Sequence, residues 1–93
     1  MNTSTTAYYI DQQQLPLLST YVYFQFNFAA QYLTIVNDDV GGVNKVIVSF
    51  NGTRKDGQVN PGERWSMDDT DAPGVYLKYE NAAPAYRVMA RPE

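Results

Sequence analysis

The chain contains neither cysteine nor histidine. The first absence excludes disulfides, and the two together exclude a structural zinc site built from the usual thiolate and imidazole ligands. They also remove the residues on which enzymes most often rely for acid–base and thiolate chemistry near neutral pH. Ser19, Ser49 and Ser66 have no imidazole to activate them, and no spacing singles out Lys45, Lys55 or Lys78 as the base of a serine–lysine pair. A carboxylate pair for glycoside hydrolysis needs a substrate cleft between its members, which a chain of 93 residues seldom builds. Phosphate-cradling glycine motifs are missing as well; Gly41, Gly42 and Gly52 read as turn glycines. The sequence therefore predicts a protein that is not an enzyme and takes no cofactor.

Basic charge is scarce. Seven Lys and Arg stand against ten Asp and Glu, for a net charge of −3 and a pI of about 4.7. Affinity for nucleic acid and for anionic membranes comes largely from clustered basic residues, so neither is an expected partner. Long apolar runs are lacking too. The most apolar window, 21–33, is broken by Gln25, Asn27 and Gln31 and is too short to cross a bilayer as a helix. Residues 1–20 hold no Lys or Arg and carry Gln12, Gln13 and Gln14, so no secretory signal is expected. A domain of this size buries roughly 60% of its unfolded surface. With disulfides and zinc excluded, contacts with other chains are the remaining source of added stability.

What the chain does have is alternation and turns. In Tyr21-Val-Tyr-Phe-Gln-Phe-Asn-Phe28, Val22, Phe24, Phe26 and Phe28 share one face, and Tyr21, Tyr23, Gln25 and Asn27 share the other. The same period of two sets Leu33 and Ile35 against Tyr32, Thr34 and Val36, and Val46, Val48 and Phe50 against Lys45, Ile47 and Ser49. It also sets Val75, Leu77 and Tyr79 against Tyr76 and Lys78, and Tyr86, Val88 and Ala90 against Arg87 and Met89. Residues 63–67 form a weaker strand candidate around Trp65, which reads as the core anchor of the domain; the alternative is a contact patch made of Arg64 and Trp65. Turn signals separate these segments: 37–42, Asn51-Gly52, Asp56-Gly57, Asn60-Pro-Gly62, Asp71-Ala-Pro-Gly74 and Asn81-Ala-Ala-Pro84. Short strands at such intervals predict an all-β fold, a sandwich or a partly open barrel, with a small antiparallel β-sandwich of jelly-roll-like type as the expected one.

Charge divides the chain unevenly: Asp11 is the only charged side chain before Asp38. Residues 1–19 read as an extended N-terminal arm and 20–93 as the sandwich domain. The arm carries the apolar handles Tyr8, Tyr9 and Ile10, then Leu15, Leu17 and Leu18. It either docks on a neighbouring chain, for instance as an added strand, or is a frayed terminus followed by a first strand in the domain's own sheet. The uncharged strand 21–28 would be an aggregation hazard on an open edge, and tyrosine is enriched at interfaces. Tyr21 and Tyr23 therefore join the six arm residues as expected partner contacts; the alternative is that they are ordinary solvent-facing tyrosines. The acidic groups Asp38–Asp39 and Asp68, Asp69 and Asp71 could attract calcium, but turn chemistry accounts for them and no metal site is expected. Asn51-Gly-Thr53 fits a glycosylation sequon and reads as a hairpin turn.

From Leu33 to Arg91 the order of pieces resembles a family. The pieces are Leu33-Thr-Ile-Val-Asn-Asp38, Val46-Ile-Val-Ser-Phe-Asn-Gly52, Asp56-Gly-Gln-Val-Asn-Pro-Gly-Glu63, Gly74-Val-Tyr-Leu-Lys78 and Ala85-Tyr-Arg-Val-Met-Ala90. Together they look like the small β-sandwich virion proteins of tailed bacteriophages, over about two-thirds of the chain. The resemblance implies a structural virion protein, in the first place a capsid decoration (cement) protein. Such a protein is a homo-oligomer that bridges neighbouring subunits of the major capsid protein and resides in the virion. A neck, tail or fibre component is the second expectation. A carbohydrate-binding module stacking sugars on Trp65, Tyr76, Tyr79 and Tyr86 is the third; it requires coplanar rings on one face.

Overall fold

The computed structural model describes residues 8–11 and 15–92, apart from the side chains of Asp11, Asn27, Asp69 and Thr70. The fold is all-β, and no helix occurs among the described residues. Six strands make one antiparallel sheet: β1 (Tyr8–Asp11), β2 (Val22–Asn37), β3 (Lys45–Ser49), β4 (Gly57–Val59), β5 (Arg64–Glu80) and β6 (Tyr86–Arg91). Their order across the sheet is β1-β6-β2-β5-β3-β4.

The segments 21–28 and 31–37, which alternation separates, are one strand of 16 residues, β2. Likewise 63–67 and 75–79 fall within or beside one strand of 17 residues, β5. Between the halves of β2 lie Ala29 and Ala30, which carry no turn chemistry. In β5 the Asp71-Ala-Pro-Gly74 signal bends the strand without ending it: Asp71 takes a positive φ of 49°, and the β2–β5 ladder shifts register between Gln25 and Ala30 and again before Tyr32. Such irregularities sharpen the local bend of a ribbon.

The β2–β5 ribbon consequently folds back on itself. Both ends of β5 lie near Asn37: Arg64 pairs with Val36, and Glu80 pairs with Lys45, whose neighbour Asn44 is bonded to Asn37. One layer holds β1, β6 and the C-terminal half of β2 with the N-terminal half of β5. The other holds the remaining halves with β3 and β4. The sandwich is thus a single sheet doubled over.

Period-two alternation fills the space between the layers. Phe24, Phe26, Leu33, Ile35, Val46, Val48, Val75, Leu77, Tyr86, Val88 and Ala90 are all buried, and the ring of Phe24 meets that of Tyr86 edge-on across the layers at 6.0 Å. Ile47 alternates with these inward residues and lies on the outer face, in the row of Gln58 and Lys78, yet it is buried there. Gly57, read from sequence as a turn residue, opens β4. It lies under Trp65, where a Cβ would come within 2.9 Å of the indole.

Candidate protein interface

Residues 1–7 and 12–14 of the arm lie outside the described residues; where the arm is described it belongs to the domain's own sheet and core. Residues 8–11 form β1, an edge strand paired with β6 from Tyr8 opposite Ala90 to Asp11 opposite Arg87. Since Ala90 and Val88 point inward, Tyr8 and Ile10 do too. Tyr8 meets Phe26 edge-on at 4.9 Å, and burial raises its hydroxyl pKa. Leu17 is buried, and Leu15 and Ile10 pack half-buried against the same core. The backbone oxygen of Leu15 accepts a hydrogen bond from the Tyr86 hydroxyl, and that of Leu18 accepts one from the Tyr79 N–H at 3.0 Å. Tyr8, Ile10, Leu15 and Leu17 therefore serve the domain's own core. Tyr9, Leu18 and Tyr23 are exposed, at 52%, 56% and 42%.

The exposed tyrosines divide between the two outer faces. On one, Tyr21, Tyr23 and Tyr76 cluster. Tyr23 and Tyr76 lie 4.6 Å apart, Tyr21 meets Tyr76 edge-on at 6.4 Å, and the Lys78 ammonium sits 4.8 Å from the Tyr21 ring. Tyr23 crosses over Gly74, where a Cβ would stand 2.6 Å from its hydroxyl oxygen. These contacts hold the three rings to their own sheet.

The other outer face is more open. The register sets Tyr9, Met89 and Thr34 in one row and Arg91 and Tyr32 in the next. They line a shallow groove of about 400 Å³, and the Arg91 guanidinium lies 4.6 Å over the Tyr32 ring. Of the residues that line it, sequence reasoning placed Tyr8 and Tyr9 among the contacts. Period two already put Tyr32 with Thr34 and Arg87 with Met89. What local sequence lacked was the adjacency of β1, β6 and β2, which are distant along the chain.

Other expected sites separate in space. Tyr86 is inside the core, Tyr79 and Trp65 are half-buried, and Trp65 leans on Phe50 at 6.2 Å. Only Tyr76 of that four belongs to the outer tyrosine cluster, and its rings are tilted or edge-on to one another, so the expected sugar platform is not assembled. Asp68 and Asp71 stand on β5 and not in a turn; Asp71 accepts a hydrogen bond from Gln31 Nε2 at 3.2 Å. Asp38 is clamped by Arg87 Nε and Nη2 at 2.7 and 2.9 Å, which raises the arginine's already high pKa. Among the described residues, no group of three or more metal-ligating side chains occurs.

The Asn51-Gly-Thr53 segment is a turn, closed by Asn51 Oδ1, which accepts the N–H groups of Thr53 and Arg54 at 2.9 and 2.8 Å. Nearby, Asp56 accepts the Phe50 N–H and Arg54 Nε, each at 2.8 Å. The Phe50 bond first, and then the arginine, lower its pKa. A lowered native pKa stabilises above the unfolded value of about 4 and loses that stabilisation as pH falls through the native value. Asp56→Asn is therefore expected to flatten the acid limb of a plot of urea midpoint against pH. An unchanged limb would show that this turn contributes nothing to acid stability.

No protein-family model, curated protein or solved structure matches the chain.

Proposed function

We propose that this protein is a structural assembly component that works by packing against other protein chains, and in particular a decoration protein of a tailed-phage capsid. The observation that carries the reading is the open face of Tyr9, Tyr32 and Met89 beside a strand edge that has no partner strand among the described residues. Such a face suits repeated modest contacts summed over a shell. The phage setting rests on the resemblance in strand-and-turn order, with the major capsid protein as partner. No catalytic step and no cofactor enter this reading. The sugar-binding alternative has no observation in its favour, because the rings it needs do not share a platform.

Quantitative mass spectrometry of purified particles of the phage encoding the chain tests the reading. A copy number comparable with that of the major capsid protein is expected, together with loss of shell heat resistance when the gene is deleted. A handful of copies per particle would move the protein to the neck, tail or fibres. Absence from the particle would overturn the virion role.

A further inference from the structure

Sheet edges invite pairing with other chains, and soluble proteins guard them with charges, prolines and bulges. Most edges of this sheet are guarded. β4 is bracketed by Lys55 and Pro61, and the N-terminal half of β5 carries Arg64, Asp68 and Asp71. The N-terminal half of β2 runs only four paired residues before its register breaks. β1 differs. Its ladder with β6 runs without a shift, its one charged residue, Asp11, stands at its end, and among the described residues it has a strand on one side only.

We propose that β1 pairs antiparallel with β1 of a second copy of this chain, about a two-fold axis through Tyr9. The inference deepens the assembly reading and rests on it for its biological setting. Geometry restricts the register. Directly opposed residues of antiparallel strands point to the same side, and a two-fold perpendicular to the sheet keeps outward residues outward. The axis must then pass through a residue position. Centred on Tyr9, it sets Tyr9 against its own copy on the outer face and Tyr8 against Ile10 of the second copy, twice, on the inner face. Aromatic and aromatic–β-branched pairs of this kind are favourable cross-strand neighbours.

Centring on Ile10 instead would set Tyr9 against Asp11 of the second copy and lose the pairing of Tyr9 with its own copy. The Tyr9 axis also joins the two aromatic grooves into one row: Thr34, Met89 and Tyr9, then Tyr9, Met89 and Thr34 of the second copy. The exposed face becomes continuous across eight strands, four from each copy.

A chain without cysteine makes the test direct. Opposed Cα atoms in an antiparallel pair lie roughly 4.5–5.5 Å apart, within the range a disulfide spans. The full-length Tyr9→Cys variant is expected to form a covalent dimer under mild oxidation, and a Gln58→Cys variant on the β4 edge is not. Light scattering of the unmodified chain over a range of concentrations should show a dimer. Tyr9→Lys, an exposed change that places two cations face to face, should weaken it about tenfold, and Tyr9→Phe should preserve it. Thermal melts of each variant check folding. A monomer at every concentration overturns the proposal, as does a dimer that cross-links through position 58 and not through position 9. A monomer abundant in virions would leave the decoration role standing and remove this interface. A dimer absent from virions would do the reverse.

Discussion

Replacing Phe24 by alanine is expected to cost about 4 kcal/mol, the range for emptying a buried aromatic site. Phe24 is 1% exposed, stands on the half of β2 that belongs to the second layer, and touches Tyr86 of the first. Its ring therefore bridges the two layers of a sheet that is covalently one ribbon. For a domain of this size a loss of that magnitude removes a large part of a total stability of about 5–10 kcal/mol and lowers the melting temperature by roughly 20 °C. The informative comparison is the preceding residue. Tyr23 points outward, and Tyr23→Ala loses only its packing on Tyr76 and Gly74, about 1 kcal/mol. Urea unfolding followed by circular dichroism measures both. Equal losses at 23 and 24 would sink the inward–outward assignment of β2 and with it the doubled-over architecture.

That assignment was readable from sequence because period two is a local property. Tyr21 to Phe28 states its own two faces, and Tyr86, Val88 and Ala90 state theirs. The all-β class followed from the same signal. Continuity was not local. Asp71-Ala-Pro-Gly74 has the composition of a reversing turn, yet here the partner strand bends alongside it and the ladder continues past a shift of register. A turn signal gives the chance of a change in direction; tertiary pairing decides whether the strand ends there.

The interface was legible only in part, for a related reason. Tyr9 and Tyr23 are alike in sequence, each a tyrosine in the part of the chain where Asp11 is the only charge. They land on opposite outer faces because β1 joins the sheet beside β6 and β2 begins in the other layer. Arg91 and Tyr32, which complete the groove around Tyr9, are fifty-nine positions apart and meet through the β2–β6 register. Leu17 and Leu18 show the converse: adjacent and chemically identical, one is 2% exposed and the other 56%.

Asn37 is the residue whose weight local sequence conceals most, and its replacement is the second large effect. In sequence it is the first letter of a turn signal. In the fold it is fully buried at the shared end of both layers. Its Nδ2 donates to the backbone oxygens of Asn44 at 2.9 Å and Val59 at 3.0 Å, and its Oδ1 accepts the Asp39 N–H at 2.9 Å. Its backbone N–H donates to the Glu63 oxygen, and its backbone oxygen accepts the Gly62 N–H, each at 2.9 Å. The side chain thus ties the end of β2 to the approach to β3 and the end of β4. Asn37→Ala removes three hydrogen bonds and leaves the buried Val59 oxygen without that donor, for an expected loss of about 3 kcal/mol. Asn37→Asp carries a sharper signature. A carboxylate would face the two oxygens that the amide now serves, so its native pKa would be raised and its charged form penalised. A raised native pKa means that stability is retained below the unfolded value of about 4 and lost as pH rises through the native value. Asn37→Asp should accordingly approach the parent at acid pH and fall below Asn37→Ala near neutrality. Urea midpoints from pH 3 to 8 would resolve the two. A flat profile for Asn37→Asp would mean that water or a local shift satisfies these oxygens, and that Asn37 is not the tie between the two layers.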